Sequence, residues 1–67
     1  MFWTYVIQSI SIQKVYIGHT SNLEDRLKRH NEGLSNATKA WAPFRLIAAV
    51  DFKTKSEAFK LEIKLDK

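Results

Sequence analysis

The sequence has no cysteine, so disulfide staples and thiolate zinc sites are both excluded, and whatever core forms must come from packing alone. With one proline and two glycines among 67 residues, it offers no linker and no low-complexity stretch; a single domain spanning residues 1–67 is expected. A chain of this size buries only about 60% of the surface its unfolded form exposes, so its stability margin is thin. Long apolar runs are also missing. The opening Met1–Ile7 lacks a basic leader, and its apolar stretch is broken by Thr4, Gln8 and Ser9, which argues against secretion or membrane spanning and for a cytoplasmic protein. Acid is in deficit. Eleven Lys and Arg against seven Asp and Glu leave a formal charge of +4, which suits a polyanionic partner, although moderate basicity alone does not separate a binder from a merely basic surface.

What is present is a regular alternation of strand-like and helix-like segments. Residues Phe2 to Ser9 are aromatic and β-branched on both alternating sets, the pattern of a strand covered on two faces and hence central. A polar Ser11-Ile12-Gln13 turn leads to a second strand from Lys14 to His19, with Gly18 marking a bulge or a close approach. Ser21 and Glu24 have capping-box spacing for a helix starting near Asn22, on which Leu23, Leu27 and Leu34 fall within about 40° of one another; Gly33 or Ser35-Asn36 ends it. Ala37 to Pro43 reads as a loop with room for one turn of helix. Phe44 to Phe52 is a third strand, and Thr54 with Glu57 repeats the capping-box spacing before a last helix. The expectation is an α+β fold, order β-β-α-(loop or short helix)-β-α: a three-stranded antiparallel sheet, first strand central, flanked by helices.

Three constellations could carry chemistry, each with a plain packing alternative. If the hairpin closes around Ser11-Ile12, or around the four residues Ile10 to Gln13, Ile7 faces Tyr16 and Tyr5 faces Gly18, so both tyrosines share one sheet face; a three-residue loop would flip one of them. Strand tyrosines are more often packing residues with a wet hydroxyl. Arg26 and His30, four apart, border the leucine stripe as either a solvated rim or the edge of a pocket; in a pocket Arg26 would hold a phosphate and His30 could pass a proton. Glu62 falls inside the core-facing stripe of Ala58, Leu61 and Leu65, where a carboxylate must be paired with Arg26 or a lysine, protonated or metal-bound.

Their order along the chain is what joins them. Trp3-Thr4-Tyr5, Tyr16-Ile17-Gly18, Arg26, His30 and Glu62 together resemble the GIY-YIG nuclease family, small stand-alone members akin to the N-terminal domain of the excision-repair incision nuclease. The resemblance covers the whole chain and is most specific over Val15 to Asn31 and Ser56 to Glu62. Trp3 and Thr4 stand where the first motif carries Gly and Ile, and the chain stops five residues past Glu62, at Lys67, where many members continue the helix with basic residues. The resemblance implies a metal-dependent endonuclease hydrolysing DNA phosphodiester bonds, in repair or recombination, with branched or damaged DNA among its substrates. It implies Tyr16 as general base or water-orienting group, Tyr5 hydrogen-bonded nearby, Arg26 as phosphate-stabilising cation, His30 assisting proton movement, and Glu62 as the single ligand of Mg²⁺ or Mn²⁺. His19, Arg26, Lys28, Arg29 and Lys39 are the candidate nucleic-acid contacts. The alternative is a non-catalytic nucleic-acid-binding module that keeps the fold, and a protein partner could dock through Trp3 or Trp41.

Overall fold

The computed structural model describes residues 1–36 and 38–66. Ala37, the first residue of the connection before Pro43, and Lys67, where the last helix was expected to stop, lie outside the described residues. Strands β1 (Phe2–Ser9), β2 (Val15–Thr20) and β3 (Phe44–Phe52) form one antiparallel sheet in the order β2-β1-β3, with helix α1 (Leu23–Asn31) after β2 and helix α2 (Lys55–Leu65) after β3. The expected architecture and element order are found, and the described residues of the connection contain one 3-10 turn, Lys39–Trp41. The Ala42–Pro43 peptide bond is cis.

The two-faced apolar pattern of β1 has its reason in the packing. Thr4 and His19 lie opposite each other on one face, where the Thr4 hydroxyl donates to the Ala58 carbonyl at 2.6 Å and seats α2. Tyr5 and Ile7 point to the other face, where they pack with Phe44, Leu23 and Leu27 under α1. On β3, Ala49 and Phe44 are five residues apart and would face opposite sides of a regular strand; the register shift that leaves Ile47 extra, between Ala48 and Leu46, lets both reach the α1 side.

Burial is shared unusually evenly between apolar and polar groups. Tyr5, Ile7, Phe44 and Ala58 are the buried hydrophobics, against Thr4, Ser9, Thr20, His30 and Thr38. Among the described residues no buried side-chain polar atom lacks a partner, so this polar core carries its desolvation cost in hydrogen bonds. The Ser9 hydroxyl donates to the Trp41 carbonyl and accepts from the amides of Ser11 and Ile12, tying the hairpin to the connection. The Asn31 side-chain oxygen accepts from the Phe44 amide at 2.6 Å, anchoring the end of α1 to the start of β3.

The helix boundaries correct the sequence reading in three places. Asn22, not Ser21, caps α1: its side chain accepts from the Asp25 amide, so the Ser21–Glu24 box does not form. Gly33, at φ +72°, ends the helix, which leaves Leu34 beyond it and 60% exposed; the buried stripe is completed by His30 instead. On α2 the Thr54 cap forms as expected, accepting from the Glu57 amide, but Leu65 is exposed rather than core-facing. Trp3 and Trp41 are half-buried, and Trp41 packs against the core with Lys14 over its ring.

Two substitutions test this capping assignment by urea denaturation. Asn22→Ala should lower stability by about 1 kcal/mol, whereas Ser21→Ala should stay within about 0.5 kcal/mol of the parent; the reverse ranking would restore Ser21 as the cap.

Candidate active site

The hairpin register places Tyr5 opposite Gly18 and Ile7 opposite Tyr16, so the two phenols share the α1 face of the sheet, and the hairpin closes at Ser9–Lys14 around the four residues Ile10 to Gln13. Their ring centroids are 6.2 Å apart. Gly18 is what permits this. A Cβ built there would lie 2.6 Å from the Tyr5 hydroxyl oxygen and 2.9 Å from a Tyr16 ring carbon, so any side chain would displace the phenols. The Tyr5 hydroxyl therefore lies over the backbone of β2, which is an edge strand of the sheet.

His30 closes the cluster from α1. Its Nε2 is 2.9 Å from the Tyr5 hydroxyl, its Nδ1 is 2.6 Å from the Thr38 hydroxyl, and its ring sits 5.1 Å from Tyr16 and 5.7 Å from Phe44, centroid to centroid. Of the two readings left open for Arg26 and His30, neither describes both residues. His30 is fully buried, not a rim residue, while Arg26 is exposed on the same helix. Burial first, and then the neighbouring Arg26 charge, lower the His30 pKa below the ordinary 6.5, favouring the neutral ring.

At Tyr5, burial and then Tyr16 raise the pKa far above the ordinary 10; Arg26 pulls it down and Glu62 pushes it up, but burial prevails and the phenol keeps its proton. Arg26 and Glu62 thus both lie close enough to act on Tyr5 through their charge.

Glu62 reaches the site from the other layer. On α2, beneath the opposite face of the sheet, its carboxylate is 2.6 Å from Nδ1 of His19, not paired with Arg26 or a lysine; the two side chains are 22% and 24% exposed. His19, expected to touch nucleic acid, is held between this carboxylate and the edge of the Phe59 ring. The structure therefore joins Tyr5, Tyr16 and His30 directly, sets Arg26 beside them, and brings in Glu62 by electrostatics alone. Arg26, His19, Phe2, Thr20, Ser21 and Lys55 line a cleft of about 190 Å³. A larger concavity of about 400 Å³ lies at the hairpin tip, between Gln8–Gln13 and Arg45, away from the phenols. Lys28, Arg29 and Lys39 are exposed and outside the Arg26 cleft. Thr38 is the participant that sequence reasoning missed: a threonine in a polar connection carries no pattern that announces burial against a histidine.

The family model for the GIY-YIG catalytic domain matches residues 1–67. The chain belongs to this family. Among relatives, the UPF0213 protein YsiG of Lactococcus lactis subsp. lactis is 40% identical over 62 residues, covering 91% of this chain and 59% of that protein. The UPF0213 protein YazA of Bacillus subtilis is 44% identical over 48 residues, covering 70% and 48% respectively. The solution NMR structure of the UPF0213 protein BH0048 from Bacillus halodurans superposes with a TM-score of 0.57 at 29% identity, covering 98% of this chain and 71% of the other. This GIY-YIG chain thus spans roughly half to three-fifths of the length of these curated relatives.

Two outcomes follow from the cluster. Gly18→Ala should cost about 1–3 kcal/mol of stability, because the methyl group and the Tyr5 hydroxyl cannot share the space; a Gly18→Ala protein of parental stability would contradict the close approach. The second concerns acid. His30 has its pKa lowered on folding, so the unfolded chain takes up a proton near pH 6.5 that the folded chain refuses. Stability should fall as pH drops through 6.5 towards the lowered folded value, with the His30 contribution fully present above 6.5. Melting temperatures between pH 8 and pH 5.5 should decline more steeply for the parent than for His30→Gln, and equal slopes would show that His30 is not buried neutral.

Proposed function

We propose that the chain is the catalytic module of a metal-dependent endonuclease that hydrolyses DNA phosphodiester bonds. The observation that carries this reading is the contact cluster of Tyr5, Tyr16 and His30 with the Arg26 guanidinium beside it and an open cleft next to that cation. Membership of the GIY-YIG catalytic domain family supports it.

Within this reading the side chains divide the work by burial. Arg26, exposed at the cleft, pairs with phosphate oxygens through charge-assisted hydrogen bonds and offsets the charge that grows on them during displacement. Tyr16 is only half-buried, so it is the phenol available to orient the attacking water and receive its proton. Tyr5 holds its proton and supports Tyr16 from below, and His30, with no solvent contact, acts through Tyr5 and not on substrate.

A metal site has to be judged on Glu62. Among the described residues no group of three His, Cys, Asp or Glu side chains gathers as a metal cage. The partly exposed carboxylate still suits a hard cation that keeps most of its waters, as Mg²⁺ or Mn²⁺ does, once the bond to His19 yields. Glu62 would hold the ion, which when bound would supply positive charge to the phosphate oxygens and the leaving group.

The wider setting belongs to the same proposal: cytoplasmic repair or recombination of branched or damaged DNA, with a partner protein supplying specificity. One observation favours a second reading, a nucleic-acid-binding module without cleavage: Glu62 is already engaged by His19.

Cleavage of plain, nicked and branched DNA in Mn²⁺ decides between them. The parent should cut, Arg26→Ala should be slower by about 10²–10³-fold, and Glu62→Ala should lose the metal-dependent activity. Cutting by the parent that is unaffected by Glu62→Ala would remove the metal assignment, and salt-sensitive binding without cutting would establish the second reading. With about three phosphates neutralised, log K against log salt should have a slope near −3.

A further inference from the structure

One end of the sheet gathers positive charge from both helical layers. Where β2 finishes beside the start of β1, the cleft of about 190 Å³ is lined by Phe2, His19, Thr20, Ser21, Arg26 and Lys55, none of them acidic. Arg26 comes from α1 and Lys55 from α2, and both are exposed. Among the described residues the one ion pair is that of His19 with Glu62, so neither cation is committed to a carboxylate. The other described lysines and arginines lie outside this cleft; Lys14 sits over the Trp41 ring and Arg45 donates to Gln8. Ser21 yields the α1 cap to Asn22, which leaves its exposed hydroxyl uncommitted to the helix while it lines the same space. Like charges sharing one cleft focus a positive potential into it, which an anion relieves. A phosphodiester carries a single negative charge, so two cations call for two phosphates.

We propose that Lys55 and the Ser21 hydroxyl form a second phosphate subsite in the Arg26 cleft, holding a second backbone phosphate of the DNA strand. The subsite rests on the reading that DNA enters this cleft, and it holds whether or not the strand is then cut. Lys55 is a positioning residue. Its ammonium offers a phosphate a point charge and the serine hydroxyl offers a directional hydrogen bond, contacts that fix the placement of a strand without reading its sequence. Two attachments, one from each helical layer, orient the strand across the end of the sheet, a constraint that Arg26 alone does not impose.

Binding of a short labelled duplex across a salt series, in EDTA so that nothing is cut, tests the subsite. Lys55→Gln should make the slope of log K against log salt shallower by about one. Lys60→Gln, which removes the same charge from α2 outside the cleft, should keep the parental slope. Ser21→Ala should weaken binding about fivefold at an unchanged slope, because it removes a hydrogen bond and no charge. A parental slope for Lys55→Gln, or an equal change for Lys60→Gln, overturns the proposal, and parental affinity in Ser21→Ala removes the hydroxyl from the subsite. If Arg26→Ala makes the slope shallower while Lys55→Gln does not, the subsite fails and the reading of the cleft stands. If neither substitution alters it, DNA does not enter the cleft and both fail together.

Discussion

The hydroxyl of Tyr5 is the point on which the molecule turns. It lies over Gly18, where only a glycine leaves room, and it meets His30 Nε2 at 2.9 Å. That one contact links the central strand to the edge strand and to α1, and through Thr38 to the connection that leads into β3. In a chain whose buried hydrophobics are Tyr5, Ile7, Phe44 and Ala58, so small an apolar core depends on polar contacts being complete. The residues that hold the fold together are thus largely the residues of the candidate site, and substitutions there are expected to affect stability and chemistry together.

The edge position of β2 explains how residues from both layers can contribute. Side chains on successive positions of a strand point to opposite faces, so Gly18 opens the α1 face to the phenols while His19 meets Glu62 on the α2 face. With no neighbouring strand outside β2, groups from the two faces can act on one another past that edge, which accords with Glu62 influencing Tyr5 despite standing on the other layer. The His19–Glu62 bond gives Glu62 a resting partner, and binding of a cation there has to displace or share it.

Much of this was readable in the chain. The mixed apolar pattern of Phe2–Ser9 marked the central strand, a hairpin closing around Ile10 to Gln13 set the tyrosines on one face, and Thr54 with Glu57 marked the start of α2. The misreadings share a physical cause. Ser21 and Asn22 are both good caps one residue apart, and backbone geometry chose the second. Leu34 continued the helical period but fell beyond Gly33. Helical spacing showed that His30 bordered the buried face but not that a hydroxyl from Thr38 awaited it, and it showed Glu62 turning inward but not that His19 would be its partner. Partners brought together by tertiary packing leave no periodic trace in sequence.

The most direct measurement of the site is paramagnetic broadening of backbone amide signals by Mn²⁺ in the presence of a short DNA duplex. Broadening should centre on Glu62 and spread to His19, Gly18 and Arg26, leaving the hairpin tip from Ser9 to Gln13 sharp. Uniform signals throughout, or broadening centred on the hairpin tip, would contradict a metal-assisted phosphodiester site at the edge of β2.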